Sequence, residues 1–320
     1  MVERLLAVQG QDGRGARLAI RARSRGLTAM DVDRALTHER SLVITWLNRG
    51  TLHLVRSEDF PWLHALTSPR MFAGVSRRLR EEGVSERPAE LGVKTIERAL
   101  EKEGPLTRAQ LDERLRAAGV PTSGQALVHL LALASLRGLI VRGPVVGGHH
   151  AFALRAEWLG PAPKVDLERA LAELARRYLA GHGPASDRDL AKWAGVSLGS
   201  SRAGVRSIGA ELIEGPDGLV DLAGRRRPPA PGPKLLGAFD PVLMGWTSRT
   251  AILGDAERRV VTGGVFRPFA IIDGRAAATW SLSRGEVVVD PLRPLRPAEQ
   301  TALLRESRDV VRYLGPGRGP

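Results

Sequence analysis

Two glutamines, Gln9 and Gln11, sit one residue apart at the end of the apolar run Leu5, Leu6, Ala7 and Val8, and Arg14, Arg17, Arg21 and Arg23 follow closely. A glutamine amide is neutral, offers two N–H donors and a carbonyl acceptor, and is costly to bury without partners. It is too weak a base to take a proton near neutral pH. The chemistry open to such a pair is therefore holding and orienting: a water or hydroxyl fixed by hydrogen bonds, with the amide dipole turned toward developing charge. The ordinary alternative is capping of local backbone or solvation. The arginines fit an anionic partner and equally fit surface solvation or ion pairing.

Other reactive constellations are missing. There are no cysteines, which removes disulfides, thiolate catalysis and Cys-ligated zinc or iron–sulfur clusters. The seven histidines are scattered. His149 and His150 are adjacent, so on a strand they face opposite ways, and no His-Glu-x-x-His spacing occurs. No metal is expected. Neither Gly-x-x-x-x-Gly-Lys-Ser/Thr nor Gly-x-Ser-x-Gly is present, so no nucleotide cofactor and no serine nucleophile elbow are expected. The five lysines are scattered and none neighbours Gln9 or Gln11, which leaves no amine placed for Schiff-base chemistry.

The elements that must position these residues are readable from periodicity and turn chemistry. Thr28 to Arg40 is helix-like, and Leu42 to Val55 reads as a hairpin turning at Asn48-Arg49-Gly50. The order recurs: a capped helix at Thr107 to Gly119, a second at Ser123 to Gly138, then two strands over Leu139 to Leu154. Helix, turn, helix and wing is the order of a winged helix-turn-helix. A fainter copy has helices at Leu167 to Tyr178, Ser186 to Gly195 and the run from Ser197, then a short hairpin around Gly215-Pro216-Asp217-Gly218. Ala223 to Lys234 is a linker rich in Pro and Gly, with Arg225, Arg226 and Arg227 in a row. Beyond it the runs "TAILG", "RRVVTGG", "VFRPFAIIDGRAAATWSL" and "GEVVVDPL" read as short strands, with Asp273-Gly274 as a hairpin turn, and predict a small closed barrel. An amphipathic helix from Pro297 closes the chain.

The fold class expected is therefore α+β: three tandem winged helix-turn-helix units plus a small C-terminal β-barrel. The expected segments are 1–85, 86–160 and 161–224 for the winged helices, 225–297 for the barrel and 298–314 for the last helix. The 320 residues include 48 basic and 35 acidic ones, a net charge of +13. That is the balance of a protein meeting a polyanion, of which nucleic acid is the commonest. The sign of the charge says more than the preference for Arg, since only five of the 48 are Lys. A hydrophobic fraction of 43% with 4% aromatics implies a globular chain with cores of Leu, Val and Ala. No apolar stretch is long enough to span a bilayer and no basic-then-apolar leader is present. The expectation is a cytoplasmic, nucleoid-associated monomer whose partner is double-stranded DNA, with no membrane contact.

The runs "LLAVQGQD", "RLAIRARSRGL", "VITWLNRGTLHLV", "DFPWLHALTSPR" and "LGAFDPVLMGW" resemble the bacterial winged-helix DNA glycosylases related to AlkZ and YcaQ, over roughly Leu5 to Leu295. "RGTLH" (Arg49 to His53) is the most family-like stretch. In that family a Gln-aliphatic-Gln or Gln-aliphatic-Asp motif marks the catalytic centre, and Gln9-Gly10-Gln11 matches the Gln-Gln branch at both polar positions. Two departures stand: Gly10 replaces the aliphatic residue, and the N-terminal helix that usually precedes the motif is expected to be missing.

The resemblance implies a monofunctional glycosylase. Cleaving a base from deoxyribose develops positive charge at the sugar, and a water must be held near C1′. Because an amide is a poor base, the leaving group must already be activated, as a cationic N7- or N3-alkylpurine is. Gln11, at the position where the family alternates Gln with Asp, is expected to hold the water, and Gln9 to orient the sugar or the second face of that water. Arg14, Arg17, Arg49, His149, His150 and Arg249 are the candidates for DNA contact. A hairpin probing the duplex is also implied, and Gly245 to Thr250 or the Val145 to His150 wing qualifies. Trp62, Trp193 and Trp246 read as core. The alternative is a non-catalytic winged-helix DNA-binding protein or transcriptional regulator.

Overall fold

The computed structural model describes residues 1–226 and 231–315, so Arg227 of the expected linker lies outside the described residues. Two compact units emerge. One comprises Met1–Val32, Ala175–Trp193 and Ile208–Pro320, the other Asp33–Leu174 and Ala194–Ser207.

The chain opens with α1 (Val2–Leu5), β1 (Val8–Gln9), α2 (Gly13–Arg21) and α3 (Ala29–Thr37). α2 is amphipathic, burying Ala16, Leu18, Ala19 and Ile20. At the start of α3 the N–H and hydroxyl of Thr28 both donate to the Asp31 carboxylate, at 2.7 and 2.8 Å, which supplies a partner to a backbone donor that the helix leaves unpaired.

In the second unit, β2 (Leu42–Leu47) and β3 (Thr51–Arg56) form an antiparallel hairpin with Leu47 opposite Thr51. Then come α4 (Phe60–Thr67), α5 (Phe72–Glu81), α6 (Glu86–Glu103), β4 (Leu106–Thr107), α7 (Arg108–Ala117), α8 (Ala126–Leu136), β5 (Ile140–Val146), β6 (His149–Leu154) and α9 (Arg155–Leu159). α6 buries Ala89, Val93, Ile96 and Leu100 at helical spacing, one stripe toward the core. α8 is apolar nearly all round and is buried accordingly. Thr107 and Gln110 close a capping box at the start of α7, each satisfying an orphan donor of the other. The strands run β3-β2-β5-β6-β4. Ile44 pairs Arg142 where β2 meets β5, and β5 carries a bulge between Arg142 and Val145.

Next are α10 (Leu167–His182), α11 (Asp187–Ala194), α12 (Leu198–Ser207) and the small antiparallel pair β7 (Leu212–Glu214) and β8 (Val220–Leu222). The final stretch holds β9 (Lys234–Leu236), α13 (Pro241–Met244), α14 (Thr250–Leu253), α15 (Glu257–Val260), β10 (Val261–Thr262), β11 (Val265–Phe266), β12 (Phe269–Ile272), β13 (Arg275–Ser283), β14 (Glu286–Pro291) and α16 (Pro297–Leu314).

Three readings of this stretch change. "TAILG" is a helix turn rather than a strand, and "RRVVTGG" gives its first half to α15. Short apolar runs carry no period that separates the two states, so tertiary context decides. Among the described residues no closed barrel forms: the sheet is open and four-stranded, in the order β14-β13-β12-β9. The physical reason is α16, whose Leu303, Val310 and Tyr313 join Ala278 and Trp280 in one buried core. A helix fills the space that closure would otherwise enclose. The Asp273-Gly274 turn forms as its residue types require, with φ of 50° and 78°.

Candidate active site

Gln9 ends β1, and Gln11 lies in the short link between β1 and α2. The chain reaches the pair through a γ-turn at Leu6, whose φ of 62° and ψ of −52° are strained for a branched side chain. Ala7 N–H donates to the Leu5 carbonyl at 2.7 Å across that turn, and full burial of the Leu6 side chain holds it there. After the pair, Asp12 caps α2 by accepting from the Gly15 N–H.

Gln9 is buried and Gln11 exposed. The Gln9 Nε2 donates to Gln11 Oε1 at 2.5 Å, so the two side chains are joined. Gln9 Oε1 is itself buried and has no hydrogen-bond partner among the described residues. The structure thus brings the two predicted residues together and leaves one acceptor open, on Gln9.

α2 is bolted in place on both sides. A Cβ on Gly15 would run into the Ala238 carbonyl oxygen, and one on Gly237 would lie 2.9 Å from the Gly15 Cα. Only two glycines let these backbones approach so closely. At the other end, Arg21 donates to Glu306 at 2.6 Å, Asp309 at 2.9 Å and the Leu235 carbonyl at 2.9 Å. Arg23 makes a two-pronged pair with Asp240 at 2.6 and 2.9 Å. Burial opposes the charge on Arg23, and the Asp240 carboxylate overcomes it, holding the guanidinium above its ordinary pKa. Asp240 in turn caps α13 through the Val242 N–H. These two arginines therefore build the helix and are not available to an anion, which narrows the anion-binding reading of the arginine run. The Asp-Pro pair at Asp240-Pro241 signals the cap of α13 in the sequence, and nothing local to it marks Asp240 as the partner of Arg23.

The other candidates are placed as follows. Arg14 is half-buried in the first turn of α2, and Arg17 donates to the Gly13 carbonyl at 2.7 Å. Arg49 is exposed at the β2–β3 turn. His149 and His150 begin β6 opposite Val146 and Val145, the first exposed and the second half-buried. Arg249 is engaged within its own unit. It donates to the Leu243 carbonyl at 2.8 Å, lies 5.0 Å from the Phe266 ring centre and sits 3.7 Å from Glu257. Arg225 donates to Asp221 at 3.0 Å and to the Gly183 carbonyl.

Of the two stretches read as probing hairpins, Val145 to His150 is the tip of β5–β6, whereas Gly245 to Thr250 forms no hairpin. Thr247 is pinned there by its N–H and hydroxyl to Asp189, both at 2.7 Å. Trp246 is half-buried against His182, Trp193 is buried and Trp62 is half-buried. Sequence reasoning missed His182, which stacks on Tyr178 at 4.8 Å and is pushed by burial to a pKa of about 4. Among the described residues no cluster of three metal-ligating side chains occurs, and no helix is long and apolar enough to cross a membrane.

The family described as DNA glycosylase AlkZ-like matches residues 2–313. The interstrand DNA cross-link repair glycosylase of Streptomyces sahachiroi is 29% identical over 351 aligned positions, covering 100% of this chain and 91% of that protein. The solved structure of the Streptomyces sahachiroi DNA glycosylase AlkZ superposes with a TM-score of 0.78 at 26% identity, covering 98% of this chain and 89% of that one. With a match that spans nearly its whole length, this chain belongs to the AlkZ-like DNA glycosylase family and is a DNA glycosylase.

Proposed function

We propose that the chain is a monofunctional glycosylase that hydrolyses the N-glycosidic bond of cationic N7- or N3-alkylated purines in duplex DNA, with water held by Gln9 and Gln11. The C1′–N bond breaks with its electron pair going to the base, which leaves neutral. Water adds at C1′ and loses its proton to solvent. A carbonyl dipole facing C1′ favours the developing cation, and a fixed water costs no reorganisation at that moment.

The observation that carries this reading is the open, buried Oε1 of Gln9, held by Gln11. The family pattern assigns the water to Gln11. Gln9 Oε1 is the buried acceptor left open, whereas Gln11 is exposed and bonded to Gln9, so we place the water on Gln9 Oε1 and give Gln11 the positioning role. Support for duplex binding comes from the net charge of +13 and from the element order. Helix, strand, helix, helix and hairpin, from α6 to β6, is the order of a winged helix. We extend the same reading to 1–85 and 161–224. Arg14, Arg17, Arg49, His149 and His150 are the proposed DNA contacts.

The test is single-turnover release of free base from a duplex with one N7-methylguanine. Uracil and 8-oxoguanine duplexes are expected to be refused, since neither base departs from a cationic state. A cross-linked duplex forms the further arm, because the S. sahachiroi relative is named for that lesion. Binding without release of any base overturns the proposal.

A further inference from the structure

The loop that joins α3 to β2 presents an arginine whose charge no neighbour neutralises. Arg40 is exposed and has a φ of 51°, a left-handed backbone that glycine or asparagine adopts at less cost. The hydroxyl of Ser57, the residue after β3, donates to the Arg40 carbonyl, and the Ser57 N–H donates to the Ser41 carbonyl at 3.0 Å. The backbone of Arg40 is thereby fixed. Glu39, the acid beside it, is taken by Arg34 at 2.9 Å.

The Arg40 guanidinium carbon lies 4.1 Å from the centre of the Trp158 ring. Among the described residues no carboxylate, Glu157 beside Trp158 included, lies in ion-pair range of that guanidinium, and its N–H groups donate to none of them. Arg155, on the same short helix as Trp158, is used differently: it donates to the Gly138 and Gly160 carbonyls at 3.3 and 2.8 Å and so secures α9.

Trp158 is half-buried, and a Cβ on Gly143 would lie 2.6 Å from its Nε1. The indole is therefore seated directly on the β5 backbone, at the bulge between Arg142 and Val145. Its Nε1 is buried there with no hydrogen-bond partner among the described residues. An indole N–H buried without a partner costs free energy, and an aliphatic side chain would fill the slot without that cost. What an aromatic ring adds is a face that attracts a cation. The stack occupies the flat side of the guanidinium and leaves its in-plane N–H fork open. That fork matches two oxygens of one phosphate, and a side chain already fixed loses less freedom on contact.

We propose that Arg40, held on the face of Trp158, is a preset contact to a backbone phosphate of DNA. Arg40, Trp158 and Gly143 all belong to the second compact unit. The inference rests on the duplex reading above.

The test is the affinity of the full chain for two undamaged duplexes of unrelated sequence, followed across a salt series. Arg40→Asn removes the charge and suits the left-handed backbone. It is expected to make the slope of log K against log salt shallower by about 0.9 on both duplexes, the loss of one phosphate contact. Arg40→Lys keeps the charge without the planar fork, and Trp158→Leu frees the guanidinium. Each is expected to keep the wild-type slope and to bind roughly threefold more weakly. Arg87→Gln is the control, since Arg87 is exposed on α6 and has no partner among the described residues. It removes the same charge and should keep the slope.

Arg40→Asn with the wild-type slope overturns the inference, and a lower melting temperature beside it makes the stack a structural clasp. An equal change in Arg87→Gln reduces the effect to net charge, and a loss confined to one duplex makes it base readout. Either overturns the phosphate contact. If Trp158→Leu fails to fold, Arg40→Asn still decides. A wild-type slope near zero overturns the duplex reading and this inference with it.

Discussion

At the scale of the residue, the two glutamines are unequal. Gln9 is buried with an open acceptor, and Gln11 is the exposed partner that fixes its rotamer. Losing one preorganised polar contact to a transition state costs ~2.7–4 kcal/mol, or about 10²–10³ in rate. Gln9→Ala is expected to reduce single-turnover base release by that factor. Gln11→Ala should lose less, and Gln11→Asp should retain release, because its carboxylate still accepts from Gln9. Gln9→Ala leaves the charge unchanged, so its duplex affinity should stay within about twofold of wild type, the electrostatic contacts being intact. Equal release by wild type and both alanine variants would move the site elsewhere.

The histidines make a separate statement about stability. His53 and His182 are buried at pKa values of about 4, and His64 and His129 are lowered in the same direction by burial. An unfolded histidine titrates near its ordinary value of 6.5. The unfolded chain therefore binds more protons between these values, and stability is full above pH 6.5 and lost as pH falls toward 4. Thermal denaturation should show a falling Tm from about pH 7 to about pH 4.5, before most carboxylates add their own loss. His182→Gln should flatten that slope, and an unchanged slope would remove His182 from the account.

At the scale of the element, α2 is the part that sets the site. It starts immediately after the Gln pair, and its Gly15 lies against the backbone of Gly237 and Ala238. Gly15→Ala must push that backbone away. Overpacking of this kind costs about 1–3 kcal/mol, which urea denaturation would resolve, and base release should fall with it because the pair is displaced. Gly74, on α5, is the control: a Cβ added there would meet nothing within 4 Å. Gly74→Ala should stabilise by roughly 0.5–1 kcal/mol through helix propensity alone. If Gly15→Ala matches the control, the close approach does not constrain the helix. The same helix explains the arginine run: Arg21 and Arg23 face inward to Glu306, Asp309 and Asp240.

At the scale of the whole molecule, the net charge of +13 predicts binding dominated by phosphate contacts. If roughly five to eight phosphates are neutralised, log K should fall against log salt with a slope of about −4 to −7. Undamaged duplex should bind with little sequence preference. A slope near zero would remove the phosphate contacts, and tight binding to one sequence would point to direct base readout. The compact units are discontinuous along the chain, whereas the segments read from the sequence are consecutive.

What is legible in the sequence is local. The Asn48-Arg49-Gly50 and Asp273-Gly274 turns, the Thr107 cap, the apolar α8 and the closing helix from Pro297 each rest on a few neighbouring residues, and turn chemistry and periodicity act at that range. The Gln9-Gly10-Gln11 spacing and the family resemblance are legible for the same reason. Tertiary structure decides which amide keeps an open acceptor and which arginines are occupied. Arg21 and Arg23 find their carboxylates more than two hundred positions away, and no local rule connects them. It also decides that "TAILG" is helical and that the last sheet stays open, because α16 covers what closure would have buried. A side chain's partner is set by what the fold brings to it, and the sequence around it states only what it is able to bind.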